Sequence, residues 1–132
     1  FHSTTLQLSQ ETSWADKGKI NYKELKSIAE QPTGEVTIID VREPDEVSAG
    51  MIPSAVNVPL TQFEKAFSPN KGADFQEKFA FPRPGFNDKL VFYCRSGKRS
   101  DQALQIVKKN GWKNARNYEG SWLDWVQQEE GK

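Results

Sequence analysis

The sequence predicts a single α/β domain, a sandwich of helices around a parallel sheet. Strand-like and helix-like segments alternate along the chain, which is the pattern of repeated βαβ units. The run Val36-Thr37-Ile38-Ile39 is β-branched throughout, as suits a central strand buried on both faces. A length of 132 residues fits one core and calls for no second domain.

Residues 1–18 alternate weakly and carry Ser, Thr and Gln, so they are expected to form a flexible lead-in, with Trp14 lying against a domain over 19–132. Asn21 is placed to cap a short helix in which Tyr22, Leu25, Ile28 and Ala29 recur at helical spacing. Pro32-Thr33-Gly34 ends that helix, the first strand follows, and Asp40-Val41-Arg42 marks the strand's end. Glu43-Pro44-Asp45-Glu46-Val47 sets proline near a helical start and acids in the first turn, predicting a brief helix that stops by Gly50. Ala55-Val56-Asn57-Val58 reads as a second short strand closed by Pro59. Thr61 is expected to cap a helix that turns Phe63, Ala66 and Phe67 inward. Residues 68–86 are rich in Pro, Gly and Phe and predict irregular chain apart from one helical turn over 74–79. Lys89 to Cys94 is a strand. From Ser96 or Gly97 to Asn110 runs a helix with Ala103, Leu104, Ile106 and Val107 inward, stopped at Asn110-Gly111. Asn114 to Tyr118 predicts the last strand, and a terminal helix carries Trp122, Leu123, Trp125 and Val126.

Eighteen basic and eighteen acidic residues cancel, so no net field recruits nucleic acid or an anionic membrane, and anion recognition has to be local. The apolar stretches are far too short to cross a bilayer, and a soluble protein is expected. One cysteine and one histidine, His2, allow no internal disulfide, no Cys/His metal cluster and no Ser-His-Asp triad. No metal and no cofactor are expected. The lone thiol suits a reducing, intracellular compartment. Phe1-His2-Ser3-Thr4-Thr5 is hydroxyl-rich and acid-free, as the tail of a mitochondrial targeting segment is; import into mitochondria is one expectation and a cytoplasmic location the other.

The densest chemistry lies at Cys94, which ends the run Leu90-Val91-Phe92-Tyr93 and precedes Arg95-Ser96-Gly97-Lys98-Arg99. A strand that stops at a nucleophile and turns through glycine into a helix points backbone N–H groups at the thiolate and adds the positive end of the helix dipole. Both lower a thiol pKa. Lys98 and Arg99 favour the thiolate further and are placed to hold an anion beside it. The bland alternatives are a small buried hydrophobe at Cys94 and solvated charges on a first helical turn, although cations there oppose the helix dipole unless an anion compensates. Asp40 and Arg42 end a different strand at the same edge, where sites in parallel sheets gather. Their alternative is an ion pair or a cap for the next helix. Glu43, Asp45 and Glu46 read as a solvated helix face.

From about Ile20 to Val126 the chain resembles the single-domain rhodanese-like proteins, the thiosulfate sulfurtransferase family. Carrying the resemblance, in order, are Ile38-Ile39-Asp40-Val41-Arg42, Gly50-Met51-Ile52-Pro53-Ser54-Ala55-Val56-Asn57-Val58-Pro59, Phe92-Tyr93-Cys94, the loop to Arg99, and Tyr118-Glu119-Gly120-Ser121-Trp122 with Trp125. The resemblance implies a three-layer sandwich on a sheet of about five mainly parallel strands. It implies a persulfide on Cys94, a cradle of Arg95, Ser96, Gly97, Lys98 and Arg99, and Asp40 and Arg42 at the rim, with Arg42 binding substrate and Asp40 supporting it. Within the family, sulfur-transferring loops place four residues between cysteine and the closing arginine, whereas related phosphatases and arsenate reductases place five. Here Arg95, Ser96, Gly97 and Lys98 are the four, and Ser100 stands where the longer loop would put arginine. Met51 departs from the histidine many relatives carry, in a connecting turn.

The activity expected is sulfurtransferase chemistry. The Cys94 thiolate attacks the outer sulfur of thiosulfate, Lys98 and Arg99 hold the sulfonate, and a thiol, cyanide or protein-thiol acceptor takes the sulfur in a ping-pong cycle. A stable leaving anion such as sulfite needs no proton relay, so the missing histidine is no objection. The alternative is a non-enzymatic persulfide carrier or interaction module serving a protein partner. A monomer is expected, with no nucleic-acid or membrane partner.

Overall fold

The computed structural model describes residues 13–70 and 74–131. In chain order it contains α1 (Tyr22–Glu30), β1 (Val36–Asp40), α2 (Pro44–Val47), β2 (Val56–Asn57), a 3-10 turn (Leu60–Gln62) that runs into α3 (Phe63–Ala66), α4 (Phe75–Phe79), β3 (Lys89–Tyr93), α5 (Lys98–Lys109), β4 (Ala115–Asn117) and α6 (Ser121–Glu130). The strands lie in the order β2-β1-β3-β4, and every pairing is parallel. The sheet thus has four strands among the described residues, where the resemblance implied about five. The described chain between β2 and β3 offers no further β-branched run and goes instead into short helices and proline-broken loop.

Successive strand residues face opposite layers. Ile39, Leu90 and Phe92 join Phe63, Phe67, Val107 and Trp112 on one face. Ile38, Val91 and Tyr93 join Leu25, Ile52, Tyr118 and Trp125 on the other. Burying side chains of this size contributes about 1.5–3 kcal/mol each, far more than an exposed pair such as Lys19–Glu119. Packing of both faces therefore fixes the sheet, and the site inherits its rigidity.

Most elements form where their sequence predicts. The Asn21 side chain accepts a hydrogen bond from the Glu24 N–H at 2.9 Å and caps α1. Trp14 is 7% exposed, its Nε1–H donates to the Leu90 carbonyl at 3.2 Å, and the Arg116 guanidinium stacks 4.5 Å from its ring. Trp14 thus lies against the domain, as expected of the lead-in; residues 1–12 lie outside the described residues. Thr61 does not cap a helix. The chain leaves Pro59 through the 3-10 turn, α3 starts after Gln62 with no side-chain cap, and the Thr61 hydroxyl instead lies 3.5 Å from a Glu43 carboxylate oxygen.

Register places the chemistry. β1 and β3 are neighbours with Asp40 directly beside Tyr93, so Asp40-Val41-Arg42 and Cys94 emerge side by side at the carboxyl edge of the sheet.

Candidate active site

Cys94 follows β3 at once and is 1% exposed. The chain then turns through Arg95, Ser96 and Gly97 into α5. Gly97 is required there: its φ is +100°, and a Cβ on it would lie 2.3 Å from the Glu119 carbonyl oxygen. The tight turn brings the Gly97 N–H to 3.0 Å from Sγ of Cys94.

Two hydroxyls complete the cradle. The thiol lies 3.6 Å from Oγ of Ser100, whose own proton goes to the Gly97 carbonyl at 3.1 Å. Ser121 Oγ accepts from the Cys94 N–H at 3.1 Å, donates to the Tyr118 carbonyl at 2.8 Å and lies 3.9 Å from Sγ. The start of α6 also ties down the carbonyls: the Trp122 N–H donates to Cys94 O at 2.9 Å and the Leu123 N–H to Arg95 O at 3.1 Å.

Burial pushes the Cys94 thiol up. The Ser100 hydroxyl and the N–H groups of Ser100, Gly97 and Ser96 outweigh it, leaving the thiol below its ordinary range. Preorganised donors around a buried sulfur hold a thiolate, and after reaction they can hold an anionic persulfide.

Of the predicted cradle residues, the N–H groups of Ser96 and Gly97 face the sulfur, Arg95, Ser96 and Lys98 are exposed, Gly97 is buried, and Arg99 is half-buried. Asp40 and Arg42 are placed differently from a rim. They are 0% and 3% exposed and form a buried ion pair, with Arg42 Nε 3.0 Å from Asp40 Oδ1 and Nη2 2.6 Å from Oδ2. Arg42 Nη2 also donates to the Gly50 carbonyl at 2.7 Å, and its guanidinium stacks 4.9 Å from the Trp122 ring. Its donors are thus engaged in pinning the turn after α2.

Glu46 corrects the expectation of a solvated acidic face. Both its carboxylate oxygens pair with Arg99, at 2.8 and 3.0 Å. That hydrogen bonding, working against burial, holds the Glu46 carboxyl down to about 2.

Sequence reasoning therefore missed Ser100, Ser121 and Glu46 as site residues. Ser100 had a signal, a hydroxyl in the first turn of a helix entered from a thiol loop. Ser121 had a weaker one, a hydroxyl after the Glu119-Gly120 turn at the edge of the last strand. Glu46 had none, since its partner lies 53 residues away. Among the described residues no cluster of three or more His, Cys, Asp or Glu side chains is arranged to hold a metal ion.

Comparison with known proteins shows the family and the fold. Residues 21–128 match the family model for the rhodanese-like domain. A fission yeast (Schizosaccharomyces pombe) protein provisionally named as a mitochondrial thiosulfate sulfurtransferase is 40% identical over 107 residues, covering 80% of this chain and 75% of its own. The human thiosulfate:glutathione sulfurtransferase is 36% identical, covering 83% and 94% respectively. The solved structure of a human single-domain sulfurtransferase superposes with a TM-score of 0.76 at 35% identity, over 83% of this chain and 96% of that one.

Proposed function

The chain belongs to the rhodanese-like domain family and its activity is sulfur transfer; we propose that it moves the sulfane sulfur of thiosulfate to a thiol through a persulfide on Cys94. The observation that carries this reading is the Gly97 N–H set 3.0 Å from a buried Sγ within a loop of four residues between Cys94 and Arg99.

In the first half-reaction the Cys94 thiolate attacks the outer sulfur of thiosulfate. A Cys94 S–S bond forms, the S–S bond of thiosulfate breaks, and sulfite leaves with the electron pair, so the negative charge stays on the terminal sulfur of the persulfide. The loop N–H groups and the Ser100 hydroxyl support that charge. Exposed Lys98 and Arg95 meet the sulfonate oxygens at the mouth. In the second half-reaction a thiol attacks the terminal sulfur; its proton goes with the new persulfide and the Cys94 thiolate is regenerated. Cyanide takes the same sulfur as thiocyanate. Asp40 and Arg42 serve as scaffold. The protein acts as a monomer, and the name of the fission yeast relative supports a mitochondrial location.

The test is sulfite or thiocyanate release from thiosulfate by the wild type and Cys94→Ser. Turnover that vanishes in a folded Ser variant is the expected result. Turnover that persists refutes the nucleophile, and a folded wild type that loads sulfur once without turning over is a carrier.

A further inference from the structure

Arg99 closes the catalytic loop, yet its guanidinium fork is occupied. Nη1 and Nη2 donate to the two oxygens of Glu46 across the gap between α5 and α2. Glu46 is itself held in place. The Glu43 N–H donates to the same Oε1 at 3.2 Å, Arg42 Nη1 lies 3.5 Å from the Glu46 carbonyl, and Arg42 pins the turn at Gly50. The buried Asp40–Arg42 pair thus presents one carboxylate to the one arginine that closes the loop. Its low pKa keeps that carboxylate ionised at any working pH.

We propose that Glu46 sets the charge with which the loop meets its anionic substrate, and is in that sense a specificity-determining residue. Paired with Glu46, Arg99 orients the first turn of α5 but offers no uncompensated charge to an incoming anion. Lys98, Arg95 and the loop N–H groups are left to hold the sulfonate. This keeps the grip on oxyanions loose: thiosulfate has to be held only at its far end, sulfite has to leave, and inorganic sulfate or phosphate must not occupy the cradle. The inference gives a finer account of the sulfurtransferase reading and rests on it for its meaning, whereas the anion affinity can be read without turnover.

Glu46→Gln removes the charge while its amide oxygen can still accept from Arg99 and from the Glu43 N–H. With the pair's charge uncovered, inorganic sulfate should protect Cys94 from iodoacetamide about fivefold more tightly than in the wild type, and the KM for thiosulfate should fall in proportion. Glu46→Asp keeps the charge and should leave the sulfate constant within twofold of wild type; a merely structural role would make Asp and Gln alike in anion affinity. Glu46→Ala must change the constant in the same direction as Gln, and decides the matter if the Gln variant does not fold. Sulfate protection that is unchanged or weaker in the folded Gln or Ala variant overturns the proposal. A wild type without thiosulfate turnover, combined with tighter sulfate protection in Glu46→Gln, overturns the sulfurtransferase reading and leaves the charge role standing.

Discussion

Ser100→Ala isolates the hydroxyl that faces the catalytic sulfur. In the thiol state two hydrogen bonds run in series: the Cys94 S–H points to Ser100 Oγ at 3.6 Å, and the Ser100 O–H points to Gly97 O at 3.1 Å. On ionisation the hydroxyl must turn its single proton to the sulfur and give up the carbonyl. Gly97 O keeps the Asp101 N–H at 3.1 Å, so it is not orphaned. The gain is a charged hydrogen bond, about 1.5–3 kcal/mol, less a neutral one, about 0.5–1.5 kcal/mol, or roughly 1 kcal/mol net. That corresponds to a Cys94 pKa about 0.7 units higher in the variant. The assay is the pH dependence of iodoacetamide alkylation. The folded pKa lies below that of the unfolded thiol, so thiolate stabilisation is present above the unfolded value and lost as pH falls through the folded one. Ser100→Ala should accordingly lose about 1 kcal/mol more stability at high pH than below both pKa values. A pKa that stays put or falls in the variant refutes this account and leaves the backbone N–H groups as the whole cause.

Two other substitutions probe the frame. Gly97→Ala puts a Cβ against the Glu119 carbonyl at a φ of +100°, and should cost at least about 2 kcal/mol in urea unfolding while slowing alkylation of Cys94; a stability within error of wild type would mean the loop yields freely. Asp40→Asn leaves the buried Arg42 guanidinium without its counter-charge and should cost about 3–5 kcal/mol by the same measurement; a loss below about 1 kcal/mol would place that pair among the dispensable ones.

The parts that the sequence made legible are those whose causes are local. β1 and β3 were readable because a strand buried on both faces must be apolar or β-branched throughout, and the loop because nucleophile, glycine and cations are contiguous. What escaped was set by distant packing. Nothing in the Pro44-Asp45-Glu46 stretch says that one acid will reach α5. Nothing around Ser121 says that its hydroxyl will receive the amide of a residue 27 positions earlier. Thr61 looked like a cap because a hydroxyl preceded an inward-facing aromatic pattern, but the 3-10 turn after Pro59 displaced the helix start past it. Arg42 belongs to a middle case: its pairing with Asp40 two residues before was foreseeable, its burial was not.

The bonds from α6 back to the thiol loop also order events in time. Ser121, Trp122 and Leu123 supply the contacts that seat Cys94 and Arg95, so a polypeptide that has been synthesised only to residue 120 carries Cys94 as an ordinary thiol on an unbraced turn. The loop whose donors lower the thiol is braced in full only when the closing helix docks. The rate at which Cys94 reaches its final reactivity is thereby a clock for the last step of folding.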